Sequence, residues 1–287
     1  MRTTRAFDVS GINIRVHTEH SPQEYTELWR HLHKLRGTVT HLSNTLMIGE
    51  ARQEEKGNPK SLIYGNFYRF LDVKPDDPWF NIETRKKATD EDVDKVNIPL
   101  ELKPNLVEIP YIFDVVKHKL YFVSKEKDIS ISPASILNLI EKLCYRTPIE
   151  NRFGKVDLTV LSDKGEVADL LAWPVIRTLT IKIDRPNPND YDDEAAFYDK
   201  LKRRNAESET RIYKKAASEM SLVPDEEIEA LANIAADNGE VEVSGKDRRL
   251  NAGTASSKNF PLRIKAIYST GLETLRDALR VVVMGRR

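Results

Sequence analysis

Apolar and polar residues alternate from Val9 to Thr18: Ile12, Ile14 and Val16 fall on one side, Asn13, Arg15 and His17 on the other. That is the pattern of a half-buried strand. His20-Ser21-Pro22 then predicts a helix start, with Ser21 as N-cap, Pro22 in the first turn and Glu24 completing a capping box. From Pro22 to Arg36 the period changes to helical, through Tyr25, Leu28, Trp29, Leu32 and Leu35, and Gly37 stops it. Thr45 to Ile48 and Leu62 to Leu71 read as strands around a polar loop, with Gly65 as a bulge position.

Asp72 to Asn81 is rich in turn residues, and Pro99 and Pro104 keep the next stretch irregular. VEIPYIFDVV and KLYFVSK predict a hairpin around Lys117-His118. Ser132-Pro133 repeats the earlier cap, ahead of Ile136, Leu139, Ile140 and Leu143. Strand GKVDLTVL, helix KGEVADLLAW and strand RTLTIKI follow. The last strand enters the stiff turn DRPNPND, and a basic helix is expected from Asp192 to Ala217. Beyond it the pattern gives a helix from Pro224, a strand EVEVSG, a polar loop KDRRLNAGTASSKNF, a strand PLRIKAIYS and a terminal helix or strand.

These elements predict an α+β protein, with mixed β-sheets, packed helices and a mostly helical C-terminal third. The expected divisions are a β-α-β-β unit over 1–80, an irregular connection over 81–105, a central α+β unit over 106–190 and a helical/β unit over 191–287.

Composition narrows the chemistry. The 287 residues carry 45 Lys+Arg and 45 Asp+Glu, so a globally basic nucleic-acid binder is excluded, while segregated charge is not. One cysteine, Cys144, rules out an intrachain disulfide and a cysteine-based metal site. No apolar run approaches the roughly 20 residues of a membrane span, and MRTTRAFDVSG lacks a signal peptide's apolar region, so a cytoplasmic protein is expected.

On a helix from 192 to 217, Lys200, Arg204, Arg211 and Lys215 would fall within about 60° of one another. Such an edge suits a phosphate backbone, and equally an ordinary solvated face. Lys246, Arg248 and Arg249 form a second basic stretch in a polar loop, and Arg185, Asn187 and Asn189 in the stiff turn would sit at the groove mouth. The histidines are His17, His20, His31, His33, His41 and His118; none is spaced as HxxxH or HExxH, so no metal is expected. EVEVSGK holds Glu240 and Glu242 before Lys246, in the wrong spacing for a metal-dependent nuclease. No phosphate-binding glycine loop or nucleophile elbow occurs, so no catalytic residue and no cofactor is assigned.

DDPWFN (Asp76 to Asn81), IKIDRPNPND (Ile181 to Asp190), RRNAE (Arg203 to Glu207) and AADNGEVEVSGKD (Ala235 to Asp247) resemble the blocks of a bacterial family known only as a domain of unknown function. The resemblance covers nearly the whole chain and implies no activity. More remotely, the element order and the RPNP turn are similar to two anti-phage proteins, the exclusion protein RexA and the B subunit of the Kiwa defence system. That similarity implies DNA binding by a dimer. The expectation is therefore a sequence-tolerant DNA-binding homodimer acting against phage, alone or with a protein partner from a defence system. The alternatives are a protein-interaction scaffold and a nuclease using Glu240, Glu242 or Asp247.

Overall fold

A computed structural model describes the chain apart from residues 1–2, 18–20, 42–43, 75–76, 97, 100, 187–191 and 287, and apart from the side chains of His41, Asp192 and Asp193. In chain order the first elements are β1 (Thr3–Val16), α1 (Pro22–Lys34), β2 (Thr38–His41), β3 (Asn44–Gln53) and β4 (Ile63–Leu71). A small hairpin, β5 (Phe80–Asn81) and β6 (Lys86–Lys87), and the single turn α2 (Asp90–Val93) lead to β7 (Val107–Asp114), β8 (Lys119–Glu126) and β9 (Ile129–Ser130). Then come α3 (Pro133–Cys144), α4 (Thr147–Phe153), β10 (Val156–Val160), α5 (Lys164–Leu171), β11 (Val175–Asp184), α6 (Asp192–Arg203) and β12 (Ser208–Lys214). The chain finishes with α7 (Glu226–Asn238), β13 (Gly239–Lys246), β14 (Ala252–Ser256), β15 (Ile264–Thr270) and α8 (Leu275–Met284).

Among the described residues, nine strands form one sheet, in the order β10-β1-β8-β7-β4-β3-β2, with β15 also on β1 and β9 on β8. The long β1 organises it. One edge of β1 pairs with β8, while the other takes β15 along Thr3–Val9 and β10 along Ile12–Val16. α3 touches β10 and β1 at one end of the sheet and β2 and β3 at the other, so the sheet curls around it. Ser21 and Ser132 cap α1 and α3, each accepting from a backbone N–H three residues on, as the sequence predicted. The first core gathers Trp29, Phe67, Tyr111 and Phe113, all fully buried. Trp29 Nε1 donates to the Tyr111 hydroxyl at 2.9 Å, and that hydroxyl donates to the Glu50 carbonyl at 2.6 Å, so both polar handles are satisfied inside.

The second core belongs to a four-stranded sheet, β12-β11-β13-β14. Leu179, Ile181 and Ile183 of β11 and Val241 and Val243 of β13 bury one face, against Leu170, Phe197, Leu201, Leu231 and Ala235 of α5, α6 and α7. This unit is inserted into the first. The chain leaves the large sheet at Leu161 and re-enters at Leu262, whose N–H bonds to the Leu161 carbonyl at 2.7 Å.

Several expectations are corrected. All strand pairs between the named strands are antiparallel, where mixed sheets were expected. The C-terminal third carries β12 to β15 beside α6, α7 and α8, and is not mostly helical. Of the two hydrophobic clusters, one is shared by strands from 1–80 and from 106–160, and the other lies within the inserted segment. The bulge lies at Gly49 of β3, where the β3–β4 register shifts, whereas Gly65 admits the Glu50 carbonyl so closely that a Cβ would lie 1.8 Å from its oxygen.

The basic helix is also shorter than expected. It ends at Arg203, and Asn205 takes a left-handed conformation with φ 51°. Ser208–Lys214 then pairs with β11, because Thr210, Ile212 and Tyr213 satisfy a sheet edge better than a helix. Ile212 of β12 is 59% exposed.

Candidate functional site

The expected cations do come together in part, but around a carboxylate and on a strand as well as a helix. Lys200 at the end of α6, Arg204 just after it and Arg211 on β12 all bind Glu209, at 3.0, 3.2 and 2.8 Å. Arg211 also reaches Glu227 of α7 at 2.6 Å. Hydrogen bonds to Tyr213, Glu209 and Glu227 hold the Arg211 guanidinium pKa above its ordinary value. Burial pushes the Glu209 carboxyl up, but bonds from Arg211 and Lys200 outweigh it and leave the pKa lowered. These side chains tie α6, β12 and α7 together, and their charge is largely spent internally.

Arg185 is a structural latch. Its guanidinium donates to the Ala206 carbonyl at 3.1 and 2.6 Å, and its own carbonyl accepts from Arg15. Lys215 donates to the carbonyls of Ala216 and Glu219. Arg248 pairs with Asp169 at 2.6 Å. Asn187 and Asn189 lie outside the described residues.

What sequence reasoning missed is the uncovered face of the four-stranded sheet. Its helices all lie on the other side, so the alternate residues of each strand face outward. Register fixes the rows. Lys214, Thr178, Ser244 and Thr254 form one row across the four strands; Ile212, Thr180, Glu242 and Ser256 form the next; Thr210, Lys182 and Glu240 the third. Lys246 lies one step beyond Ser244 on the same face, next to the hairpin that carries Arg249. Charge is therefore graded along this face. Hydroxyls and the lysines Lys214 and Lys246 occupy one end; at the other, Lys182 pairs with Asp184 and Lys258 with Glu240, and Glu242 stands between the two ends. Lys214, Lys246 and Arg249 have no ion partner among the described residues.

The two units meet at a buried polar seam. Asn13 of β1 donates to Asn238 Oδ1 at 2.8 Å and to the Asp237 carbonyl at 3.2 Å, satisfying the C-terminus of α7. Asp237 itself accepts from Lys119 at 3.1 Å and lies 3.2 Å from Lys164. Beside it Arg15 binds Asp157, whose other partners are His17 at 2.7 Å and Lys155 at 3.3 Å. Burial raises the Asp157 pKa, but bonds from His17 and Arg15 reverse this and hold it well below the usual carboxylate range.

His17, Asp157 and Glu207 are close enough to share a metal ion. Their carboxylates already face Arg15 and Lys155, so positive charge is supplied by the chain and the cluster reads as an ion network. The nuclease carboxylates do not converge. Glu240 binds Ser256 and Lys258, Glu242 stands on the open face, and Asp247 accepts from the backbone of Arg249 and Asn251 in the hairpin.

No helix among the described residues is long and apolar enough to cross a membrane. No curated protein matches the chain. A family described as a domain of unknown function (DUF4747) matches residues 5–284, so the chain belongs to that family.

Proposed function

We propose that the protein binds DNA without strong sequence preference, across the cationic end of the uncovered four-stranded sheet. The observation that carries this reading is the row Lys214-Thr178-Ser244-Thr254, with Lys246 one step beyond Ser244: lysines and hydroxyls on an open face, the lysines without acidic partners among the described residues. Lysine and hydroxyl contacts to phosphate position a nucleic acid without reading its bases. This replaces the helix edge, whose arginines are engaged by Glu209 and Glu227. The remote likeness to anti-phage proteins supports a defence setting and a homodimer.

Binding of a short duplex, titrated from low to physiological salt, tests it. Affinity should fall steeply, by about 0.9 in log K per phosphate contact for each log unit of salt. A flat salt response, or no binding at low salt, would remove the reading.

A further inference from the structure

A cleft of about 480 Å³ opens between the two units, away from the cationic end of the open face. One bank is apolar: Pro133 and Leu137 of α3, Leu158 and Val160 of β10, and Pro261. The other carries charges of both signs, Lys182 with Asp184 at 3.2 Å and Lys258 with Glu240 at 2.5 Å.

β10 is the end strand of the large sheet and pairs only with β1 among the described residues. The N–H of Leu161 bonds to the carbonyl of Gly11, which stands directly opposite it by the β1–β10 register. In an antiparallel ladder such pairs alternate with outward-turned residues, so Thr159 and Asp157 bond toward β1 while Leu158 and Val160 turn their N–H and C=O away from it. Leu158 and Val160 are the two β10 residues on the apolar bank. Among the described residues, the cleft therefore holds a short row of unpaired backbone donors and acceptors, the ready template for one more strand.

We infer that the cleft binds an extended peptide by strand addition to β10. The peptide's backbone pairs with Leu158 and Val160. Its apolar residues, at every second position, meet Leu137 and Pro133, and the charged residues between them meet the Lys182–Asp184 and Lys258–Glu240 pairs. Five strand residues span roughly 17 Å, enough for a segment of about five residues.

The test is to pan the full chain against a phage-displayed random heptapeptide library and synthesise the enriched sequences. Enriched peptides should alternate apolar and charged residues and should slow amide exchange at Leu158 and Val160. Ala134→Arg, at an exposed cleft-lining position on the first turn of α3, should weaken them at least tenfold while leaving the circular dichroism spectrum and DNA affinity unchanged. No enrichment over a blank surface would overturn the inference. So would peptides that bind the Ala134→Arg chain equally well or leave those two amides unprotected.

Discussion

Lys119 and Asp237 form a buried ion pair at 3.1 Å, with 7% and 9% of their side chains exposed, and they join the two units of the fold. Removing one partner strands a charge away from water, which costs far more than the pair itself contributes. Lys119→Met should lower stability by about 3 kcal/mol, the lower end for such a pair, because Lys164 still faces Asp237. The double variant Lys119→Met with Asp237→Leu should recover most of that loss in urea melts. A single variant within about 0.5 kcal/mol of the parent would show that the seam is not the junction that holds the units.

Asp157 links stability to pH. Its folded pKa is depressed, so its contribution is complete above the unfolded value near 4 and is lost as pH falls through the folded one. Asp157→Asn should cost about 2 kcal/mol at pH 7, and the gap from the parent should close progressively below pH 4. Equal gaps at pH 7 and pH 3 would contradict the Arg15–Asp157–His17 assignment.

Cys144 is buried on α3, and burial pushes its thiol pKa up to about 12. At pH 8 the native thiol should therefore react with a disulfide reagent orders of magnitude more slowly than in urea. Rapid reaction of the folded chain would mean that α3 opens readily from the sheet that curls around it.

Gly65 is required for a close approach. Gly65→Ala drives a methyl into the Glu50 carbonyl and should cost about 2 kcal/mol or more, whereas Gly253→Ala, with open space around it, should be close to neutral. Equal melting temperatures for the two variants would contradict the β3–β4 register.

Much of the fold was legible locally. The Ser21-Pro22 and Ser132-Pro133 caps, the 107–126 hairpin and the strand ending at Asp184 all rest on residues close in sequence. β12 was hidden because its alternation, Thr210-Arg211-Ile212-Tyr213-Lys214, places charge on both faces, and because its cations repeat at a spacing that also fits a helix edge. β14, Ala-Gly-Thr-Ala-Ser, carries no apolar signal at all. The candidate surface was out of reach for a different reason. Lys214 and Ser244 come to flank Thr178, and Lys246 to face Val175, only through the pairing of β12 and β13 with β11, and Lys119 finds Asp237 118 positions away. Arg204 and Arg211 stood out by charge, yet only the tertiary contacts show Glu209 and Glu227 beside them.

The same contacts separate two kinds of charge reversal. Arg204→Glu with Arg211→Glu should place like charges around Glu209 and lower the melting temperature. Lys214→Glu with Lys246→Glu removes no ion pair and should leave it unchanged. The decisive measurement is duplex DNA binding by the folded Lys214→Glu, Lys246→Glu variant at low salt. A loss of at least a hundredfold, with a shallower salt slope and an unchanged melting temperature, is the outcome expected of an open-face DNA site. Parental affinity in that variant would contradict it.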